Sequence, residues 1–373
     1  MDILFYISTG VILYTYIGYP LIIVLWGSLF GRRVEKRYFN LPLSVVVAAK
    51  DEEINIRARI ENLLAQDYPQ ELIEIIVVSD GSTDRTVELA RDFDDERVKV
   101  VEFAQPVGKS GALNAGIDHA SHDIIVFADA RQWFGENVFA ELVAMFADER
   151  VGAVSGELVI EPGTGSEVGE GVGMYWQYEK LIRRMESAVD SVVGATGSIY
   201  AIRKRLYVPL AEHTLLDDFL VPMRIVLKGY RVVFARSARA HDVASSTSAR
   251  EFTRKVRTLA GNFQAVEMEK LLINPVKNRV FFQFVSHKLM RLVVPYFCLA
   301  ALVASALSDT PALRILFVLQ VAFYALGILS LTSLGRSKLG SPTRLSWTFM
   351  VLNAAAVVGL WVFATGRDRT IWK

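Results

Sequence analysis

Ile75-Ile76-Val77-Val78-Ser79-Asp80-Gly81-Ser82-Thr83-Asp84 is the stretch whose reading decides the fold. Its four leading apolar residues do not alternate with polar ones, the pattern of a strand buried on both faces, as in a parallel sheet. The run breaks into Asp-Gly-Ser-Thr-Asp, where glycine permits a tight turn and the small hydroxyl and acidic residues suit a helix N-cap. A helix over 86–93 is expected to follow. In an open parallel sheet, ligands sit beyond the carboxyl ends of the strands, near the topological switch point. Asp80 stands at such an end, placed to accept hydrogen bonds from a ribose or a base. Taken alone, the string fits an ordinary capped turn equally well.

Working outward, the same texture repeats. Leu43 to Ala49 is a Val-rich strand ending in Lys50-Asp51-Glu52-Glu53, and an amphipathic helix over 54–66 places Ile56, Ile60, Leu63 and Leu64 on one face. Val98 to Phe103 reads as a third strand. Gly108-Lys109-Ser110-Gly111-Ala112-Leu113-Asn114 opens a helix through a Gly-bearing loop, and Ile124 to Ala128 is a fourth strand ending in Asp129-Ala130-Arg131. This β-α-β-α-β-α-β order predicts an α/β sheet covered on both faces. Further on, strands are expected over 152–160, 199–203 and 231–235, with helices over 175–187, 215–228 and 249–261. Gly163 to Gly173 reads as a Gly-rich, mobile or ligand-adaptable segment, and the 249–261 helix carries Arg250, Arg254, Lys255 and Arg257.

The ends of the chain differ in character. The 373 residues are 52% hydrophobic, with a surplus at the two ends and a soluble-looking middle between them. Ile3 to Gly31 carries no charge, is long enough to cross a bilayer, and lacks the basic n-region and cleavage site of a signal peptide. Arg32, Arg33, Lys36 and Arg37 follow at once, which by the positive-inside rule marks that end as cytoplasmic. Phe281 to Arg291 suits an interfacial helix. Leu292 to Ser308 is an uncharged run of about 26 Å as a helix, near the lower limit for spanning. Ile315 to Gly335 and Leu345 to Gly366 are clearer spans, separated by Arg336, Lys338 and Arg344, a second cytoplasmic mark. With four spans, Arg367, Arg369 and Lys373 would fall outside, against that bias. The expected division is a span over 1–31, an α/β domain over 43–262, interfacial helices over 263–291 and three spans over 292–366. A net charge of +1 without a basic stripe argues against a nucleic-acid partner. The single cysteine, Cys298, allows no internal disulfide.

Acidic residues recur at strand ends or a helix start: Asp80, Asp129 and the pair Asp217-Asp218. Carboxylates on one edge of a sheet bind sugars and metal ions beside phosphates, or supply a base. Lys109 is the complementary cation for a diphosphate. Seven strings, in order from about 43 to 262, resemble the membrane-bound family 2 glycosyltransferases of GT-A fold, the group of cellulose, hyaluronan and poly-N-acetylglucosamine synthases. They are Val47-Ala48-Ala49-Lys50-Asp51-Glu52-Glu53, Ser79-Asp80-Gly81-Ser82-Thr83-Asp84, Gly108-Lys109-Ser110-Gly111-Ala112-Leu113-Asn114, Asp129-Ala130, Gly197-Ser198-Ile199-Tyr200, Leu216-Asp217-Asp218 and Arg254-Lys255-Val256-Arg257. The resemblance implies a Rossmann-like mixed sheet and inverting transfer of a sugar from a nucleotide-sugar, most often a UDP-sugar, to a glycan or lipid-linked acceptor. It implies a plasma- or inner-membrane protein with its catalytic domain in the cytoplasm, and leaves room for a homo-oligomer. Asp80 would hold the nucleoside with Glu52 and Lys109 lining the pocket. Asp129 would bind the diphosphate through Mg²⁺ or Mn²⁺, Asp218 would take the acceptor's proton, and Asp217 would hold the helix start or support Asp218. Arg254 and Arg257 would clamp diphosphate.

Two departures stand out. The second carboxylate of the family's D-x-D motif is Arg131 here, so either Asp129 finds help elsewhere, with His241 a candidate ligand, or Arg131 takes over part of the diphosphate's charge. Thr258 follows Arg257 where processive members carry an acceptor-stacking Trp, which puts processivity in question. Two other readings compete: a non-catalytic nucleotide-sugar-binding subunit of a polysaccharide export complex, favoured by Arg131, and a transporter, disfavoured because the three clear spans hold no ionisable residue.

Overall fold

The computed structural model describes residues 1–161, 169–243, 248–332 and 340–367. Residues 163–168 of the Gly-rich stretch, Arg336, Lys338, Arg369 and Lys373 lie outside the described residues, so the expectations placed on them have no structural counterpart here. At the centre is an eight-stranded sheet in the order β3-β2-β1-β4-β7-β6-β8-β5. Its strands are β1 (Leu43–Ala49), β2 (Ile73–Asp80), β3 (Val98–Phe103), β4 (Ile124–Asp129), β5 (Trp133–Phe134), β6 (Val151–Glu161), β7 (Ile199–Arg203) and β8 (Arg231–Val243). The first four are parallel to one another. β7 runs antiparallel between β4 and β6, β8 lies parallel to β6, and β5 closes the edge antiparallel to β8. The sheet is therefore mixed, as the resemblance implies.

All eight residues of β2 are buried, as its unbroken apolar run requires of a strand covered on both faces. Val46, Ile76 and Val78 pack into one layer with Leu113 and Ile117 of the helix Gly108–His119. Val45, Val47, Ile75 and Val77 face the other layer with Ile56, Ile60 and Leu63 of the helix Ile56–Leu64. Because β1 lies between β2 and β4, strand order reverses there. The crevice beyond the carboxyl ends of β1, β2 and β4 is the switch point where α/β sheets bind ligands. Gly81 makes the turn out of β2 with φ +64°, and a Cβ there would sit 2.7 Å from the Pro106 nitrogen. No other residue type is at ease in that position.

The second half departs from expectation in three places. β8 continues eight residues past Ala235, because small buried Ala238 and Ala240 alternate with exposed Arg239 and half-buried His241, a one-faced pattern that extends the strand. β5, two residues long, and the apolar helix Val138–Ala147 have no counterpart among the expected elements. Four helices are long and apolar enough to cross a membrane: Asp2–Phe30, Phe281–Ala306, Pro311–Leu329 and Pro342–Ala364. The segment expected to lie in the interface, 281–291, forms the opening turns of the second of these. There Phe284, Ser286 and His287 are buried, and the imidazole bridges Glu186 (2.7 Å) and Glu179 (3.1 Å) of the helix Gly169–Val189. Protein packing gives those polar groups their partners. At the far end, Asp2 accepts hydrogen bonds from the hydroxyls of Ser308 and Thr310 at 2.7 Å each, so the first span begins where the second ends.

Candidate active site

The loops leaving β1 and β2 are stitched side by side. Asp51 accepts from the Thr83 backbone N–H (2.7 Å), the Glu52 N–H donates to Thr86 Oγ1 (2.8 Å) and the Glu53 N–H donates to Asp84 (3.0 Å). The Glu52 carboxylate accepts from Asn55 Nδ2 at 2.6 Å, which fixes its orientation at the lip of the crevice. Asp80 ends β2 only 3% exposed, and its Oδ1 accepts the backbone N–H groups of Val107 (2.6 Å) and Gly108 (3.0 Å). It thereby caps the helix Gly108–His119 and sets the position of the following residue, Lys109. These hydrogen bonds are those of the capped-turn reading of Asp80.

Lys109 is the hub. Its ammonium lies 3.2 Å from Asp129 at the end of β4 and 3.4 Å from Asp217 at the start of the helix Asp217–Leu227. Burial works against the charge on Lys109, yet Asp129, Asp217 and Asp218 together hold its pKa above the ordinary value. Asp218, beside Asp217 in the first helical turn, is half-buried, and its carboxylate packs on Gly197, where a Cβ would come within 2.8 Å of Oδ2. Burial first and Asp217 second push the Asp218 carboxyl up to about 6, with Lys109 pulling the other way. The acid sites at the β4 end and at 217–218, separated by nearly ninety positions, are joined through one lysine, and Asp80 holds the loop that carries it.

Arg131 and His241 have their partners elsewhere. Arg131 donates to Asp242 at 2.6 Å, and Gln132 donates to the same oxygen at 2.9 Å. His241 does not follow β8 but lies within it. Its Nδ1 meets Glu161 at 2.8 Å and its ring stacks on Trp133 at 5.7 Å. Arg254 is exposed and Arg257 half-buried on the helix Ser248–Met268, which leans on the fourth apolar helix through Phe263 stacked on Phe363. Three neighbours escaped the sequence reading. Asp242 anchors Arg131. Arg59 lies 2% exposed under the Phe134 ring, with burial lowering its pKa to about 9 and the Asp129 charge opposing that shift. Arg183 donates to the hydroxyls of Thr196 (2.9 Å) and Ser155 (2.8 Å) beside the Gly197 turn. Asp242 and Arg183 come from the second half of the sheet and its helix, and Arg59 from the helix Ile56–Leu64 meets Phe134 of β5 more than seventy residues on, so no local spacing marks them.

A divalent cation finds a sparse donor set. Among the described residues, no three His, Cys, Asp or Glu side chains gather to hold a metal. Asp129 offers one carboxylate, and the buried Oδ2 of Asp217 has no hydrogen-bond partner. Mg²⁺ is commonly held by one or two carboxylates with substrate phosphates and water. The residues therefore fit a cation that arrives with a diphosphate rather than a preassembled protein cage.

Residues 44–208 match the family model "Glycosyl transferase family 2". The chain carries a family 2 glycosyl transferase domain. A beta-monoglucosyldiacylglycerol synthase of Nostoc sp. is 36% identical over 120 residues, 31% of this chain and 26% of that protein. A poly-beta-1,6-N-acetyl-D-glucosamine synthase of Staphylococcus aureus is 25% identical over 232 residues, 60% of this chain and 55% of its own length. The chain thus spans between about a quarter and about half of the curated relatives it matches. Among solved structures, a mannosyltransferase of Pyrobaculum calidifontis in complex with GDP-Man and Mn²⁺ superposes with TM-score 0.73 at 20% identity. That match covers 97% of this chain and 99% of the other, so the fold extends through the apolar helices. The GT-A sheet expected from the seven strings is the sheet observed.

Proposed function

We propose that the protein is a membrane-anchored, inverting glycosyltransferase that moves a sugar from a nucleoside-diphosphate sugar to an acceptor hydroxyl at the membrane surface. The observation that carries this reading is the Lys109 hub, with Asp129 on one side and the Asp217-Asp218 pair on the other. Asp80 and Glu52 line the nucleoside end of the crevice. Lys109 and the guanidinium of Arg131 face the diphosphate, with Arg254 and Arg257 as clamps from the basic helix. Asp218, ionised above about pH 6, takes the proton of the acceptor hydroxyl as the oxygen attacks the anomeric carbon from the side opposite the diphosphate. The C–O bond to phosphate breaks, and its electron pair leaves with the nucleoside diphosphate, stabilised by fixed positive charge. Mg²⁺ or Mn²⁺, held at Asp129 with His241 as the second candidate ligand, would supply further neutralisation of that leaving group. With Nδ1 engaged by Glu161, Nε2 would be the nitrogen of His241 left to hold such a cation.

The first test is a screen of UDP- and GDP-sugars for nucleoside-diphosphate release by the full-length protein in nanodiscs. UDP-sugars follow from the family resemblance, and GDP-sugars because the whole-chain structural relative was solved with GDP-Man. One donor turned over is the expected result; release from none would support the reading as a non-catalytic binding subunit. Product length in the same assay separates single addition from polymerisation. Catalytic-domain placement on the cytoplasmic side of a plasma or inner membrane draws on the basic run at Arg32, Arg33, Lys36 and Arg37 directly after the first apolar helix.

A further inference from the structure

Beside the crevice lies a cavity of about 240 Å³ that includes none of Asp80, Lys109 or Asp129 in its walls. One wall is Ala195 and Thr196, the residues before the Gly197 turn on which Asp218 packs, and the Ala195 N–H donates to the Asp218 carbonyl at 2.7 Å. The opposite walls come from three of the membrane-length helices, through Tyr16, Lys288 and Asn353. Five Lys and Arg line it against two Glu. Lys180 is neutralised by Glu157 at 2.7 Å and Arg291 by Glu179. Arg183 donates to hydroxyls and lies over the Phe234 ring, with Glu186 and Glu179 near enough to act on its charge, and Lys288 has no hydrogen bond or ion pair among the described residues. Glu179 and Glu186 are near enough to act on Lys288, but His287 and Arg291 already hold those carboxylates. A cation in a membrane-length helix with no counter-charge in contact is costly to keep and points to a ligand that supplies one. Both cations lie near enough to Asp218 for their charges to interact with its own.

Resting on the transferase reading above, we propose that this cavity is the acceptor subsite and that the acceptor is a saccharide joined to a lipid through a phosphate or diphosphate. Lys288 and Arg183 take the phosphate oxygens, Trp176 in the same wall offers a face for the sugar, and the lipid extends along the membrane-length helices. The presence of a base selects a sugar hydroxyl, rather than the phosphate itself, as nucleophile: a phosphate oxygen already ionised needs no proton removed. In the transfer, the acceptor O–H proton goes to Asp218, the new bond joins that oxygen to the donor's anomeric carbon, and the nucleoside diphosphate departs with the electrons of the old bond.

The test is binding of farnesyl diphosphate, farnesol and inorganic diphosphate to the full-length protein in detergent, by titration calorimetry with excess UDP and GDP filling the donor pocket. Farnesyl diphosphate should bind at least about tenfold more tightly than either fragment. Lys288→Gln should weaken it by about tenfold, the scale of one charged hydrogen bond, and Lys288→Arg should restore it. Equal binding of inorganic diphosphate would assign the site to a soluble phosphate and overturn the proposal. Equal binding of farnesol with a silent Lys288→Gln would overturn it in favour of a neutral lipid or glycan. Donor turnover by the unsubstituted protein is scored separately. If it is absent while farnesyl diphosphate still binds in a Lys288-dependent way, the transferase reading falls and the anion site stands.

Discussion

At the scale of single residues, the distinguishing feature is a carboxylate held away from its ordinary acidity. Asp218 moves from 3.8 to about 6 because burial and Asp217 disfavour its charge. As a base it works only when ionised, so kcat/KM should rise tenfold per pH unit below about 6 and level off above. Lys109→Met removes the charge that draws this pKa down, so the acid limb should move to higher pH. It also strands Asp217, 8% exposed, at a stability cost of roughly 3 kcal/mol or less, measurable by chemical denaturation. The sign for Asp218 itself is opposite. A group whose pKa is raised on folding supports the fold below its unfolded value and weakens it as pH rises towards the folded one, between 3.8 and about 6. Asp218→Asn should therefore unfold at a higher temperature near neutral pH while transfer falls by roughly 10²–10⁴-fold. Loss of both stability and activity would assign Asp218 to the fold instead.

At the scale of elements, the strand-turn-helix units were legible because each residue in them obeys a local rule. The apolar run of β2, the turn at Gly81 and the polar cap at its end all lie within ten residues. The antiparallel half was less so. β5 is two residues long and exists because β8 offers it an edge, and the role of Asp242 depends on β8 running past Ala235. Pairings of this kind join positions more than a hundred residues apart and leave no periodicity to read. The Gly197 turn offers a test at this level. Gly197→Ala drives a methyl to within 2.8 Å of the Asp218 carboxylate, so Asp218 must move. The expected outcome is a fall in kcat with little change in donor KM, since the methyl meets Asp218 and neither Asp80 nor Lys109. A loss confined to KM would contradict it.

At the scale of the whole molecule, the sheet, the basic helix and three of the four membrane-length helices meet around the crevice and its adjoining cavity. The hydropathy pattern identified the helices, but the boundary near 281–291 depended on partners at Glu179 and Glu186 that hydropathy does not register. Metal dependence belongs to this scale too, because the cation would join donor and protein. Chelator should abolish turnover, and Mg²⁺ or Mn²⁺ should restore it; full activity in excess chelator would mean that Lys109 and Arg131 neutralise the diphosphate unaided. The most direct measurement is nucleoside-diphosphate release and donor binding by the full-length protein in nanodiscs, compared with Asp218→Asn. If one crevice joins donor and base, the variant binds the nucleotide-sugar with unchanged affinity and releases at least about 10²-fold less product. Equal release by the two proteins would contradict the account.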